Sequence, residues 1–412
     1  MTDDAEDLKK RALDYHALPR PGKLTVESSK PCATAAELSL AYTPGVAAPV
    51  REIHRDPAMA YQYTNKGNLV AVITDGTAVL GLGNVGALAS KPVMEGKAVL
   101  FKRFADIDVF DIEITAPSVE SFIETVVNIA PTFGGINLED IAAPQCFRIE
   151  RELRERLNIP VFHDDQHGTA VVICAALINA LHLQDKQLET AKIVFLGAGA
   201  AGMATTRLLT AMGATDITLV NKNGVLHAGR NDIDAGQRDL LRDTESRTLA
   251  DAMQDADVFI GVSAANALPA EYLSTMADKP IVFALANPDP EILPSLAVAV
   301  RPDVLMATGR SDFPNQVNNA LCFPYLFRGA LDAKAPQVSQ QMQIAAAYAL
   351  AELAREPVPA EVRSAYDDIE ISFGKDYIIP KPFDPRLLSR VSTAVVEASL
   401  AEQANPAVAA NS

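Results

Sequence analysis

The chain has 412 residues, 49% of them hydrophobic, no tryptophan and a formal net charge of -16. One ordinary core is too small for that length, so two domains are expected. The acidic excess opposes a phosphate backbone or an anionic bilayer, which require a basic face, so neither nucleic-acid nor membrane partners are expected. The four cysteines, Cys32, Cys146, Cys174 and Cys322, lie far apart and read as reduced thiols rather than as a zinc set or a disulfide framework. Met1 to Lys10 is acidic and lacks the apolar stretch of a secretory signal, and no apolar run reaches the roughly 18 residues of a membrane span, so a cytoplasmic protein is expected.

Before Pro44, short helical patterns alternate with Pro19, Pro21, Gly22 and Pro31. Val70 to Thr74 and Ala78 to Leu80 read as short strands around the turn signal Asp75-Gly76, and Ile107 to Ile114 alternates acidic with apolar residues at strand period. Gly81-Leu82-Gly83-Asn84-Val85-Gly86 has the glycine spacing of a phosphate loop. It follows a hairpin-like pair, however, and Pro92 interrupts the segment that ought to be the phosphate-binding helix, so a glycine-lined active-site loop is the better reading. Glu152 to Asn158 closes a helical stretch, Val161 to Asp165 is a strand running into a polar turn, and Thr169 to Leu183 is a long apolar helix. The boundary falls here, giving an N-terminal α/β substrate and metal domain over 1–162, a dinucleotide domain over 163–400 and a flexible Ala/Asn/Pro-rich tail over 401–412.

Beyond the boundary, apolar strands at Lys192 to Leu196, Asp216 to Val220, Val258 to Gly261 and Ile281 to Leu285 alternate with helical patterns. That is the signature of a doubly wound, Rossmann-like parallel sheet, so the whole is of the α/β class. Gly197-Ala198-Gly199-Ala200-Ala201-Gly202 lies between a strand and a helix, where glycines let the pyrophosphate approach the helix N-terminus. In NAD-specific folds an acid about twenty residues on accepts hydrogen bonds from the ribose. Here Asn221 and Lys222 stand in its place, which suits NADP, with NAD the alternative.

Glu139 and Asp140 close one strand, and Asp164 and Asp165 another. Carboxylates crowded at strand ends are unfavourable without a cation, and all-oxygen ligation suits Mg2+ or Mn2+. Because neighbouring side chains in a strand point opposite ways, Glu139 and Asp140 can both act as ligands only if the strand breaks there. Taken alone, Lys97 reads as a surface charge and Tyr42 as a half-buried core residue.

In company these segments resemble the malic enzyme family, especially its shorter bacterial branch, over nearly the whole chain. Leu40-Ala41-Tyr42-Thr43-Pro44-Gly45-Val46 is similar to the family's tyrosine motif and Met94-Glu95-Gly96-Lys97 to its lysine motif. Asn137-Leu138-Glu139-Asp140 and Phe162-His163-Asp164-Asp165-Gln166-His167-Gly168-Thr169 resemble its metal-binding segments. The resemblance implies Tyr42 as general acid, Lys97 as general base supported by Asp164, and Glu139, Asp140 and Asp165 as metal ligands. Ala286-Asn287-Pro288 and Asn318-Asn319 resemble segments that hold substrate and the nicotinamide end of the cofactor, implying roles for Asn287 and Asn319. Larger members place an arginine after Thr-Asp-Gly to hold a malate carboxylate, whereas Thr74-Asp75-Gly76-Thr77-Ala78 has none.

The activity implied by this resemblance is oxidative decarboxylation of L-malate to pyruvate and CO2, with oxaloacetate as bound intermediate and reduction of NADP or NAD. A homodimer or higher homo-oligomer is implied as well. Lys97 can serve as a base only if its pKa is drawn down from about 10.4. A malolactic-type enzyme, a metal-independent amino-acid dehydrogenase and a non-catalytic dinucleotide-binding module are the rivals. The sequence ends at Ser412 without the phosphotransacetylase-like extension of some relatives, so regulation through one is not expected.

Overall fold

A computed structural model describes residues 3–79, 81–366 and 371–405. Four parallel strands, β1 (Leu69–Thr74), β2 (Asp108–Glu113), β3 (Gly135–Leu138) and β4 (Val161–His163), form a first sheet in the order β2-β1-β3-β4. Leu-Val-Ala-Val-Ile-Thr of β1 is buried throughout, as a parallel strand covered on both faces must be. Its register sets Ile73 opposite Leu138, and Leu138 opposite His163, so three strands end side by side.

The second sheet comprises β5 (Lys192–Leu196), β6 (Asp216–Asn221), β7 (Gly224–Val225), β8 (Val258–Gly261), β9 (Ile281–Ala284) and β10 (Leu305–Thr308), ordered β10-β9-β8-β5-β6-β7. All pairs are parallel except β6 with β7. The winding reverses between β5 and β8, which opens a crevice at their carboxyl ends. Thr169–Leu183 is the central helix, and one core joins its side chains to Val70, Val72 and Phe162 of the first sheet and to Ile193 and Phe195 of the second. The late helices Phe323–Asp332, Gln340–Arg355 and Arg386–Ala404 close this core from the side.

Several local expectations change. Residues 75–79 form a loop in which only Val79 bridges Gly83, and Leu80 lies outside the described residues, so Ala78 to Leu80 is not described as a strand. Pro92 does not interrupt the following segment: the helix Ala87–Ala105 runs through it. Burial of Ser90, Met94, Lys97, Ala98 and Phe101 on one helix face outweighs the lost hydrogen bond, and Leu88, whose carbonyl loses its donor, is exposed to water. The turn and helix from Asp164 to Leu183 are, with a mean hydropathy of 1.3, long and apolar enough to cross a membrane, unlike the reading from the sequence. Here they are core, because both sheets pack around them. The last helix continues through Ala404 into the expected tail, and 406–412 lie outside the described residues.

Candidate active site

Four carboxylates and a lysine meet where β1, β3 and β4 end. β3 stops at Leu138, the Glu139 N–H donates to the Ile73 carbonyl at 2.9 Å, and Asp140 turns into the left-handed region at φ 53°. That break cancels the alternation of a strand and lets both side chains face one point. The Asp140 N–H donates to Asp165 Oδ2 at 2.9 Å, which ties the end of β3 to the segment after β4. After His163 the chain makes one wide helical turn, Asp164–Gly168. Gly168 is required there, since a Cβ would lie 1.8 Å from Asp164 Oδ1.

Ligand atoms of Glu139, Asp140 and Asp165 lie within 4.8 Å of one another. Asp140 Oδ2 and Asp164 Oδ1 are buried without a hydrogen-bond partner among the described residues. Burial, then the charges of Asp165 and its neighbours, raises Glu139 well above the ordinary carboxylate range and pushes Asp140 up to about 7. A hard divalent cation fits this donor set: three convergent carboxylates whose repulsion it would relieve, with Asp140 Oδ2 the buried oxygen left without a partner among the described residues.

Lys97, 9% exposed, reaches the same point from the helix Ala87–Ala105. Its Nζ donates to Asp164 Oδ2, lies 3.0 Å from Glu139 Oε1 and stands 4.4 Å from the Phe323 ring centroid. Burial alone would lower its pKa, but the carboxylates of Asp164, Glu139 and Asp165 more than offset this and raise it. In the cation-free site Lys97 is therefore an ammonium, opposite to the depressed pKa that a base requires. Asn319 Nδ2 donates to the other side of Asp164 Oδ2 at 2.7 Å, so the second sheet's unit contributes to the cluster.

The dinucleotide crevice opens beside it. Gly197 leaves β5 at φ 123°, and the helix Ala200–Ala211 starts three residues on, so Gly197, Ala198, Gly199, Ala200, Ala201 and Gly202 form the expected strand-to-helix turn. A Cβ at Gly202 would lie 1.9 Å from the Gly197 carbonyl oxygen, whereas the space around Gly199 is open, as close approach of a pyrophosphate demands. At the end of β6, Asn221 Oδ1 accepts from Arg230 Nη1 at 3.0 Å, and Lys222 is exposed with no acid beside it among the described residues.

Residues 21–154 match the family model of the malic enzyme N-terminal domain and residues 166–370 that of the malic enzyme NAD-binding domain. The chain belongs to the malic enzyme family. It is 60% identical over 394 residues to the NADP-dependent malic enzyme of Halomonas elongata, covering 95% of this chain and 93% of that protein. The NADP-dependent malic enzyme of Escherichia coli is 54% identical over 399 residues, 96% of this chain, yet the chain spans 53% of that longer relative. The crystal structure of the NAD-dependent malic enzyme from Thermotoga maritima superposes with a TM-score of 0.83 at 41% identity, covering 96% of this chain and 99% of that one.

Within this malic enzyme fold the structure brings together Lys97, Glu139, Asp140, Asp164, Asp165 and Asn319. Asn287, after β9, donates to the Leu285 carbonyl and packs on Gly309, and Gly81 of the early glycine loop faces the Pro288 ring. Tyr42 does not join the cluster: the residue is 69% exposed and its side chain makes no hydrogen bond among the described residues. Two residues escaped sequence reasoning. Arg230, nine positions past Asn221, lies outside any motif window, and Asp232 and the Gly224 and Val225 carbonyls hold it at the end of β6. Buried Glu291 accepts from the backbone of Ser263 and Ala286, pinning the loops after β8 and β9, and in sequence it is an ordinary loop acid.

Proposed function

We propose that this chain oxidises L-malate at C2 and expels its C4 carboxylate as CO2, yielding pyruvate and reduced NADP. The observation that carries the reading is the buried meeting of Lys97 with Glu139, Asp140 and Asp165, joined by Asn319 to the dinucleotide crevice. Glu139, Asp140 and Asp165 would hold Mg2+ or Mn2+, which would supply Lewis acidity to the C2 oxygen and positive charge against the carboxylates that keep Lys97 protonated. Once Lys97 has released its ammonium proton to solvent, its neutral Nζ takes the C2 hydroxyl proton, with Asp164 fixing its direction and the Phe323 ring excluding water from one side. Asn287 and Asn319 would hold the nicotinamide end of the cofactor, which would supply the acceptor for the C2 hydride. After CO2 departs from the oxaloacetate so formed, Tyr42 delivers a proton to C3 of the enol. Asn221 and Lys222 present an amide and a cation at the end of β6, and the arginine beside them, Arg230, is paired with Asp232; the exposed Lys222 is what supports NADP over NAD.

Tyr42 performs its step from a second copy of the chain. It sits in an arm, residues 6–68, in which no described side chain is buried and Leu8, Leu13, Tyr15, Leu38, Leu40 and Val50 are exposed. Such an apolar surface calls for a partner, and a two-fold dimer is the commonest one.

The test is absorbance at 340 nm with L-malate and Mn2+, NADP against NAD, and pyruvate assayed in the same sample. Equal amounts of pyruvate and reduced NADP, abolished by chelator, are expected. Lactate without net cofactor reduction would replace this reading with the malolactic one.

A further inference from the structure

The turn Asp164–Gly168 has two faces. Asp164 and Asp165 look into the carboxylate cluster, while Gln166 and His167 form part of the wall of a separate cleft of about 520 Å³. Arg151 and Arg154 of the helix Gln145–Arg156, Arg207 of the helix Ala200–Ala211 and Gln337 complete that wall, so it spans the units of both sheets.

The charge pattern of the first helix is the telling feature. Arg148 pairs with Glu120 at 2.5 Å and Glu152 at 2.6 Å, and Arg156 pairs with Glu124 at 2.7 Å. Arg151 and Arg154, three apart and on the cleft side, form no salt bridge among the described residues, although the charge of Arg154 helps hold buried Glu150 ionised. Arg154 donates only to the Val338 carbonyl at 3.3 Å, and Arg151 makes no hydrogen bond to any of them. Both guanidiniums line the same cleft, which sets them apart from arginines standing singly on the surface. Arg207 is aimed by Asp239 at 2.9 Å and the Gly236 carbonyl at 2.5 Å. Of the two acids at the cleft, Glu155 is exposed at its rim. Glu150 is consumed inside, accepting from the His163 N–H and Gln166 Nε2, each at 3.2 Å, and lying 2.9 Å from His167 Nε2.

We propose that this cleft binds a small, multiply charged oxyanion, a phosphate or a dicarboxylate, as an effector of the reaction. Guanidinium forks match such groups in shape and charge. The anion draws Arg151 and Arg154 towards Arg207, bridging the two units. Because Glu150 joins the same arginine-bearing helix to Gln166, His167 and the backbone of His163, the change reaches the turn that sets Asp164 and Asp165.

The effector half rests on the malate reading, while binding itself does not. Inorganic phosphate and, separately, succinate are titrated calorimetrically into the full chain at constant ionic strength, without metal, malate or dinucleotide. Saturable binding below about 10 mM is expected for one of them, and the tighter ligand names the class. The Arg151→Gln/Arg154→Gln double variant binds at least about tenfold more weakly, and Lys222→Gln binds as the unaltered chain does. No saturation, an unchanged double variant, or loss in Lys222→Gln overturns the site. In the Mn2+-supported assay the anion shifts the malate KM by roughly fivefold or more in the unaltered chain and leaves the folded double variant unmoved. Binding without any such shift overturns the effector role, and binding in a chain that does not turn over malate refutes the malate reading and leaves the site standing.

Discussion

Lys97 and Asp140 carry opposite consequences of one crowded pocket. Lys97 is an ammonium because three carboxylates surround it, and its buried position gives it no competing role on the surface. Lys97→Ala should lower kcat by about 10²- to 10⁴-fold, the range of a lost general base, while binding of the reduced cofactor, followed by its fluorescence, stays unchanged. An equal loss of cofactor binding would show that the lysine only holds the site together. Asp140 is pushed up to about 7 by burial and by Asp165. An unfolded carboxyl ionises near 4, so the folded, metal-free chain keeps a proton that the unfolded chain has released. The contribution of Asp140 to the stability of the metal-free protein therefore falls as pH rises from about 4 to about 7 and stays at its lower value above. Asp140→Asn removes that penalty. It should unfold at a higher temperature than the unaltered chain at pH 8, lose this advantage near pH 4, and no longer gain stability from Mn2+ in a melting assay. A lower metal-free Tm at pH 8 would mean that the aspartate is not under electrostatic strain.

Between residue and whole molecule, the turn Asp164–Gly168 is the element on which the site depends. A Cβ at Gly168 would strike Asp164 Oδ1, the carboxylate that Lys97 and Asn319 share. Gly168→Ala should therefore keep its circular dichroism spectrum yet lose roughly tenfold or more in kcat, as positioning losses do. Full activity would show that the turn relaxes without cost. This element also marks the limit of what was legible in the sequence. The strand patterns at Val70 to Thr74 and Lys192 to Leu196 announce themselves because a buried parallel strand is continuously apolar. The glycines at 197–202 speak through their strand-to-helix context. What periodicity does not carry is backbone direction at an element's end: the positive φ of Asp140, which turns two neighbouring acids to one point, leaves no compositional trace. Pro92 misled for a related reason, since local propensity knows nothing of the core face that holds the helix Ala87–Ala105 together. Arg230 and Glu291 do their work through contacts distant in sequence, which one chain read alone does not reveal.

For the molecule as a whole, the two sheets share a core while the arm before Leu69 buries none of its described side chains. A chain of this size does not leave Leu8, Leu13, Leu40 and Tyr42 in water without reason, and the second copy proposed above would cover them. If Tyr42 works across that contact, each active site takes its lysine from one chain and its tyrosine from the other. Tyr42→Phe should then impair decarboxylation of supplied oxaloacetate and enol protonation more than pyruvate binding. A decisive consequence concerns mixtures. Tyr42→Phe and Lys97→Ala chains, each nearly inactive alone, should on dissociation and reassociation in equal amounts regain about a quarter of the normal activity. Half of the random two-fold dimers are mixed, and each mixed dimer has one complete site. No recovery in a mixture shown by mass spectrometry to contain mixed dimers would place Tyr42 within its own subunit's site, and the exposed arm would then need to fold back on the chain that carries it.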